Sequence, residues 1–188
     1  FGIAEAFLAG SPMLVLTEFS DWYGVNQHAP YQIGTGEYGS VDLVNIYKSY
    51  SKFVTTANSP GELIYGIQLA IKHAISGKPG PAVVISKWNI MLAQIEDAST
   101  IQPPLFPLPG YLRISPPCIS QSDAQKIAHI LIEAKHPIMI CGRGVHAGRA
   151  YDEVRQLAEL IGIPVATSYM GKGSLPETHD LALGSMAG

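Results

Sequence analysis

Short runs of branched apolar residues alternate along this chain with stretches of three-and-four apolar spacing. Residues 3–8 place Ala and Leu on one side of a short predicted helix. "SPMLVLTE" (11–18), opened by Pro and apolar almost throughout, then predicts a strand buried on both faces. Lys52–Thr55 predicts a further short strand. Ser59 offers an N-cap, with Pro60 at the first helical position and Glu62 in the first turn. Leu63, Ile64, Ile67, Ala70, Ile71 and Ala74 follow at helical spacing, an apolar stripe that must lie against a sheet. Gly77 supplies a left-handed stop and Pro79 bars continuation. "SGKPGP" (76–81) is thus a helix stop plus tight turn, and "AVVIS" (82–86) the next buried strand of a parallel β-α-β arrangement.

The alternation lapses twice. Phe19–Ser40 is rich in Gly, Asn, Tyr and His without a period and predicts a long loop, either functional or a surface excursion. Residues 98–117, with Pro at 103, 104, 107, 109, 116 and 117, predict a semi-rigid linker between a domain at 1–97 and another at 118–188. Beyond it, residues 120–136 predict a helix capped by Ser122 or Asp123, and "PIMICGRG" (137–144) a strand ending in glycines. A helix at Ala150–Ile161, closed by Gly162, leads to the strand "IPVATS" (163–168) and a Gly-rich loop, "YMGKGSLPETH" (169–179). The expected fold class is α/β, with parallel sheets in Rossmann-like three-layer α/β/α units forming two partial domains.

Composition narrows the partners. Of 188 residues, 47% are hydrophobic and only 14% charged, with a net charge of -3. Lys and Arg are scattered singly, which argues against nucleic acid. So low a charge content favours large contacts with other subunits. Cys118 and Cys141 lie far apart outside any CxxC pattern and read as reduced thiols of a cytoplasmic protein. The apolar runs are strand-sized and the N-terminus lacks a basic flank, so neither a membrane span nor export is expected. The chain opens without Met, directly in helical pattern, as at a cut point.

Candidate chemistry concentrates after the strand at 137–141. Gly142, Arg143 and Gly144, followed by a helix, present backbone donors and a cation that favour a phosphate. Ser168, Tyr169 and Lys172 point to the same end of the sheet, where open α/β folds bind ligands. The same glycines would also serve a bare turn with Arg143 in solvent. His28, His73, His129, His136, His146 and His179 show no metal spacing. Glu18 and Asp21, at a strand end, lack partners for general-base work. Ser11 and Ser86 lack a GxSxG context. Trp22, Tyr23, Tyr31 and Tyr38 read as a subunit contact or a pocket lining.

Three stretches carry a family resemblance. "AISGKPGPAVVIS" resembles the end of the pyrimidine-binding domain of thiamin-diphosphate enzymes of the acetolactate synthase and 2-oxoacid decarboxylase superfamily. "HPIMICGRGV" with "LAELIGIPVATSYMGKGSLPETHDLALG" is similar to the central domain of the same superfamily, and "GIAEAF" with "SPMLVLT" fits the domain segment that follows its first Gly-rich loop. The resemblance implies thiamin diphosphate and Mg2+ as cofactors, a small 2-oxoacid substrate, a homo-oligomer (dimer or tetramer) and FAD, ADP or nothing in the central domain. It also implies that the family's proton-relay glutamate would precede Phe1 and its GDG...N cofactor anchor would follow Gly188, so that this stretch alone contributes no catalytic residue and is inactive. Acetolactate synthases carry Phe-Gln-Glu before an Asp matching Asp42, with the aromatic and the amide near substrate. Here the run is Tyr38-Gly39-Ser40, which makes Tyr38 the implied substrate-facing residue and removes the amide. Lys87 stands where the family has Pro. These departures imply a divergent branch. The alternative is a non-catalytic module that binds a nucleotide or pairs subunits.

Overall fold

A computed structural model describes residues 1–19, 34–36, 40–107, 110–115 and 117–186. Most of the expected loop at 19–40, with Asp21, Trp22, Tyr23, His28, Tyr31 and Tyr38, lies outside the described residues. The chain divides into two compact units, Phe1–Ser115 and Pro116–Gly188, each built on a three-stranded, all-parallel sheet. The architecture is α/β and Rossmann-like.

In the first unit, α1 (Gly2–Ala9) leads to β1 (Met13–Phe19), α2 (Leu43–Lys48), β2 (Phe53–Ala57), α3 (Pro60–Ile75), β3 (Pro81–Lys87) and α4 (Trp88–Met91). The sheet order is β1-β3-β2, so "AVVIS" forms the central strand. Val83, Val84 and Ile85 are fully buried there. The stripe expected on α3 packs as required: Ala70 and Ala74 cluster with Ala82 and Val84, with Phe53, Leu63 and Ile67 against them. Ser59 Oγ accepts from the Glu62 N–H at 3.2 Å, and the Glu62 carboxylate accepts from the Asn58 N–H at 2.7 Å, which satisfies the first turn. Gly77 adopts φ 57° as the stop demanded.

Three expectations about this unit are corrected. β1 is not buried on both faces: it is an edge strand, and Leu14 and Leu16 are 37% and 47% exposed on a face that no described element covers. α2 is a helix missed in the sequence, started by Asp42, whose Oδ1 accepts from the Asn45 N–H at 2.9 Å. In the Pro-rich stretch, Phe106 and Tyr111 dock on α3 rather than lying in a free span. The Gln68 carboxamide pairs with the backbone of Phe106, accepting from its N–H at 2.9 Å and donating to its C=O at 3.1 Å. The Tyr111 hydroxyl donates to the Gln68 carbonyl, and Phe106 stacks between Tyr65 and Tyr111.

The second unit comprises α5 (Gln121–Glu133), β4 (Met139–Cys141), α6 (Arg143–Gly148), α7 (Tyr151–Ile161), β5 (Val165–Thr167) and β6 (Ala182–Ser185), in sheet order β4-β5-β6. Its core joins Cys141, Ala158, Ile163, Val165 and Leu175, with Leu131 and Val154 against them. The cap of α5 is Ser120 rather than Ser122 or Asp123: its Oγ accepts from the Asp123 N–H at 3.1 Å and donates to the Asp123 carboxylate at 2.8 Å. The apolar side of α5 stays open among the described residues, with Ile127, Ile130 and Ile132 exposed. No described helix is long and apolar enough to cross a membrane.

Candidate functional site

Parallel strands aim their carboxyl ends, and the loops that follow, at one edge of a sheet, where open α/β folds take ligands. In the second unit that edge is made by the turn after β4 and the loop after β5. The expected glycine turn is a helix start: Gly142 caps α6, Arg143 and Gly144 are its first residues, and the helix breaks at Arg149, left-handed at φ 52°. The helix expected at Ala150–Ile161 is α7, and α6 is a further short helix where the sequence predicts a glycine turn.

Close backbone packing fixes the edge. Ser168 N–H donates to the Cys141 carbonyl at 2.9 Å, joining the ends of β4 and β5. Gly171 is buried against the same carbonyl, so close that an added Cβ would lie 2.1 Å from the Cys141 oxygen and 2.9 Å from Gly142 Cα. A Cβ on Gly142 would have the Ser168 hydroxyl at 3.7 Å, and one on Gly144 would meet nothing within 4 Å. The structure thus gathers Gly142, Ser168 and Gly171, with Gly144 facing open space. Burial pushes the Cys141 thiol pKa up, which keeps it protonated and unreactive at neutral pH.

The charged candidates divide. Arg143 is half-buried at the start of α6, and no described side chain pairs with its guanidinium. The Lys172 ammonium lies 3.4 Å from the Glu177 carboxylate, so its charge is held within its own loop. Tyr169 is 76% exposed and contributes no wall. Two histidines dismissed as candidates tie the loop down. His146 Nδ1 lies 3.0 Å from the Tyr151 hydroxyl and its Nε2 3.0 Å from the Lys172 carbonyl. His179 accepts the Leu181 N–H on Nδ1 at 3.2 Å and faces Glu159 through Nε2 at 3.2 Å. The sequence signal for His146 was faint: a histidine five residues before a tyrosine, across a helix break.

In the first unit, the same edge holds Glu18 and Ser86, adjacent in the β1/β3 register. Ser86 is buried and its hydroxyl has no partner among the described residues. Lys87 ends β3 and begins α4. Tyr38, the implied substrate contact, is outside the described residues. Among those residues no His, Cys, Asp or Glu side chains gather into a metal-binding group. They do not by themselves build a site for thiamin diphosphate and Mg2+, and no catalytic step is derived from them.

Residues 124–188 match the family model "Thiamine pyrophosphate enzyme, central domain". Over 182 residues, 97% of this chain and 27% of the relative, the sequence is 31% identical to the acetolactate synthase large subunit of Corynebacterium glutamicum. It is 30% identical to the probable acetolactate synthase large subunit of Methanocaldococcus jannaschii, across 97% of this chain and 29% of that one. Oxalyl-CoA decarboxylase of Escherichia coli is 28% identical across 96% of this chain and 30% of its own length. The chain therefore belongs to the thiamin-diphosphate-dependent enzymes related to acetolactate synthase. It spans about three-tenths of the length of these relatives.

Proposed function

We propose that this chain is part of a thiamin-diphosphate- and Mg2+-dependent enzyme that decarboxylates a 2-oxoacid, with or without joining the product to an acceptor. Residues 1–97 form the later part of its pyrimidine-binding domain, 98–117 the connection, and 118–188 the first part of its central domain. The observation that carries this reading is the match through 97% of the chain to acetolactate synthases. The two parallel-sheet units, each with glycine-shaped turns at its strand ends, support it. The cofactor supplies the carbanion chemistry when bound. This chain's share is scaffold, substrate contact through Tyr38, and a nucleotide subsite for FAD or ADP at Gly142, Arg143, Gly144, Ser168, Tyr169 and Lys172. On its own the 188-residue chain is inactive.

The missing amide at Gly39 argues for a substrate other than that of acetolactate synthase. Relatives named glyoxylate carboligase and oxalyl-CoA decarboxylase widen the chemical range. The open faces of β1 and α5 support assembly into a homo-oligomer, placed in the cytoplasm as part of the proposal, and these faces alone favour the second reading, a non-catalytic subunit-interaction module. The test is carbon dioxide release by the complete polypeptide from pyruvate, glyoxylate and oxalyl-CoA. Release from one of them supports the enzyme reading, and no release from any with cofactors bound supports the module.

A further inference from the structure

Three separate stretches of the second unit meet at one imidazole. His146 lies on α6, Tyr151 opens α7, and Lys172 belongs to the loop after β5. The Lys172 carbonyl can only accept, so His146 Nε2 must carry the proton. Whenever the ring is neutral, Nδ1 is then the acceptor and the Tyr151 hydroxyl donates to it. Tyr151 thereby fixes the tautomer that Lys172 requires.

Packing anchors this loop at Gly171 and at Leu175, which sits in the core, and the His146 bond additionally ties it to α6. The other hydrogen bonds made by residues 169–177 run within residues 168–179: Gly171 N–H to Ser168 C=O, Lys172 N–H to Tyr169 C=O, and Ser174 N–H and hydroxyl to Gly171 C=O. The Lys172 to Glu177 ion pair is internal as well. Gly173, at φ 88°, turns the chain beside the imidazole, its would-be Cβ 4.0 Å from His146 Cε1. Gly171 packs on the end of β4 with no room to spare but makes no side-chain bond there.

We propose that His146 is a positioning residue, a clamp that holds the 169–174 loop on α6 and so sets the opening between Gly142–Gly144 and Ser168 at the carboxyl edge of the sheet. Only its consequence for affinity rests on the nucleotide reading above; the clamp is readable without ligand.

Imidazole nitrogen NMR of the whole chain tests it first. The expected signature is a neutral His146 protonated at Nε2 with Nδ1 bare, and Tyr151→Phe should let the Nδ1–H form appear. Amide exchange tests it second: His146→Ala should speed exchange at Gly171, Lys172 and Ser174 roughly tenfold, and His146→Gln, which keeps a donor, should restore most of the protection. ADP titration is the third arm, with affinity expected to fall roughly tenfold in His146→Ala and recover in His146→Gln. An Nδ1–H tautomer in the wild type, unchanged loop exchange, or equal ADP affinity in wild type and His146→Ala would each overturn the proposal. ADP that fails to bind the wild type sinks the nucleotide reading instead, while tautomer and exchange still decide the clamp.

Discussion

Lys52 lies across Gly80: a Cβ built on that glycine would meet Lys52 Cδ at 2.9 Å. Past it, the ammonium donates to the carbonyls of His73 at 2.7 Å and Ser76 at 2.6 Å, capping the C-terminus of α3 from the residue just before β2. The second glycine of "SGKPGP" is therefore a passage for a cap as well as part of a turn.

Lys52→Met keeps the stem and removes both bonds. A charge-assisted cap in a largely exposed setting is worth about 1 kcal/mol, so urea denaturation should show a loss of that order. Gly80→Ala should cost at least as much by displacing the stem. The two changes together should cost less than their sum, because each abolishes the same cap.

Gly171→Ala should be far more damaging. Its Cβ would lie 2.1 Å from a backbone oxygen that cannot swing away, so either β4 or the loop must shift. A loss of about 3 kcal/mol is expected on denaturation, with exchange at the Ser168 amide rising first. In the other unit, Gly61→Ala faces the same obstacle, the Gln102 carbonyl oxygen at 2.0 Å. It should release Phe106 and Tyr111 from α3, read as a loss of the Tyr65, Phe106 and Tyr111 stacking signal in near-ultraviolet circular dichroism.

Much of this was legible beforehand, and the limits are physical. The α3 stripe, its Ser59 cap and the burial of "AVVIS" follow from spacing and local chemistry, and they stand in the structure. The Lys52 cap, the Gln68 pairing with Phe106 and the His146 bond to Lys172 join residues 21 to 38 positions apart, which no window of local pattern contains. β1 read as fully buried because apolar content reports what a strand can cover, not which neighbours this stretch supplies. At the candidate site, the glycines and Ser168 are picked out by their place after strands, but the turn that became α6 and the engagement of Lys172 by Glu177 depend on packing.

Tyr111 gives a pH signature. Burial raises its pKa above the ordinary 10.0, and its hydroxyl donates to the Gln68 carbonyl only while protonated. The folded state thus holds the proton more tightly than the unfolded one, so this contribution is fully present below the unfolded pKa and is lost as pH rises through the folded pKa. Ultraviolet difference titration should show a tyrosine ionising later than the rest, absent in Tyr111→Phe. Stability in mildly alkaline buffer should fall less steeply in that variant than in the wild type.

The central claim is membership in a working thiamin-diphosphate enzyme, and cofactor dependence tests it most directly. Carbon dioxide release from a 2-oxoacid should be measured for the complete polypeptide and for residues 1–188 alone, each with and without thiamin diphosphate and Mg2+. The account predicts release by the complete polypeptide that falls to background when either cofactor is withheld, and none from residues 1–188. Release that is indifferent to the cofactors, or turnover by residues 1–188 alone, would contradict it.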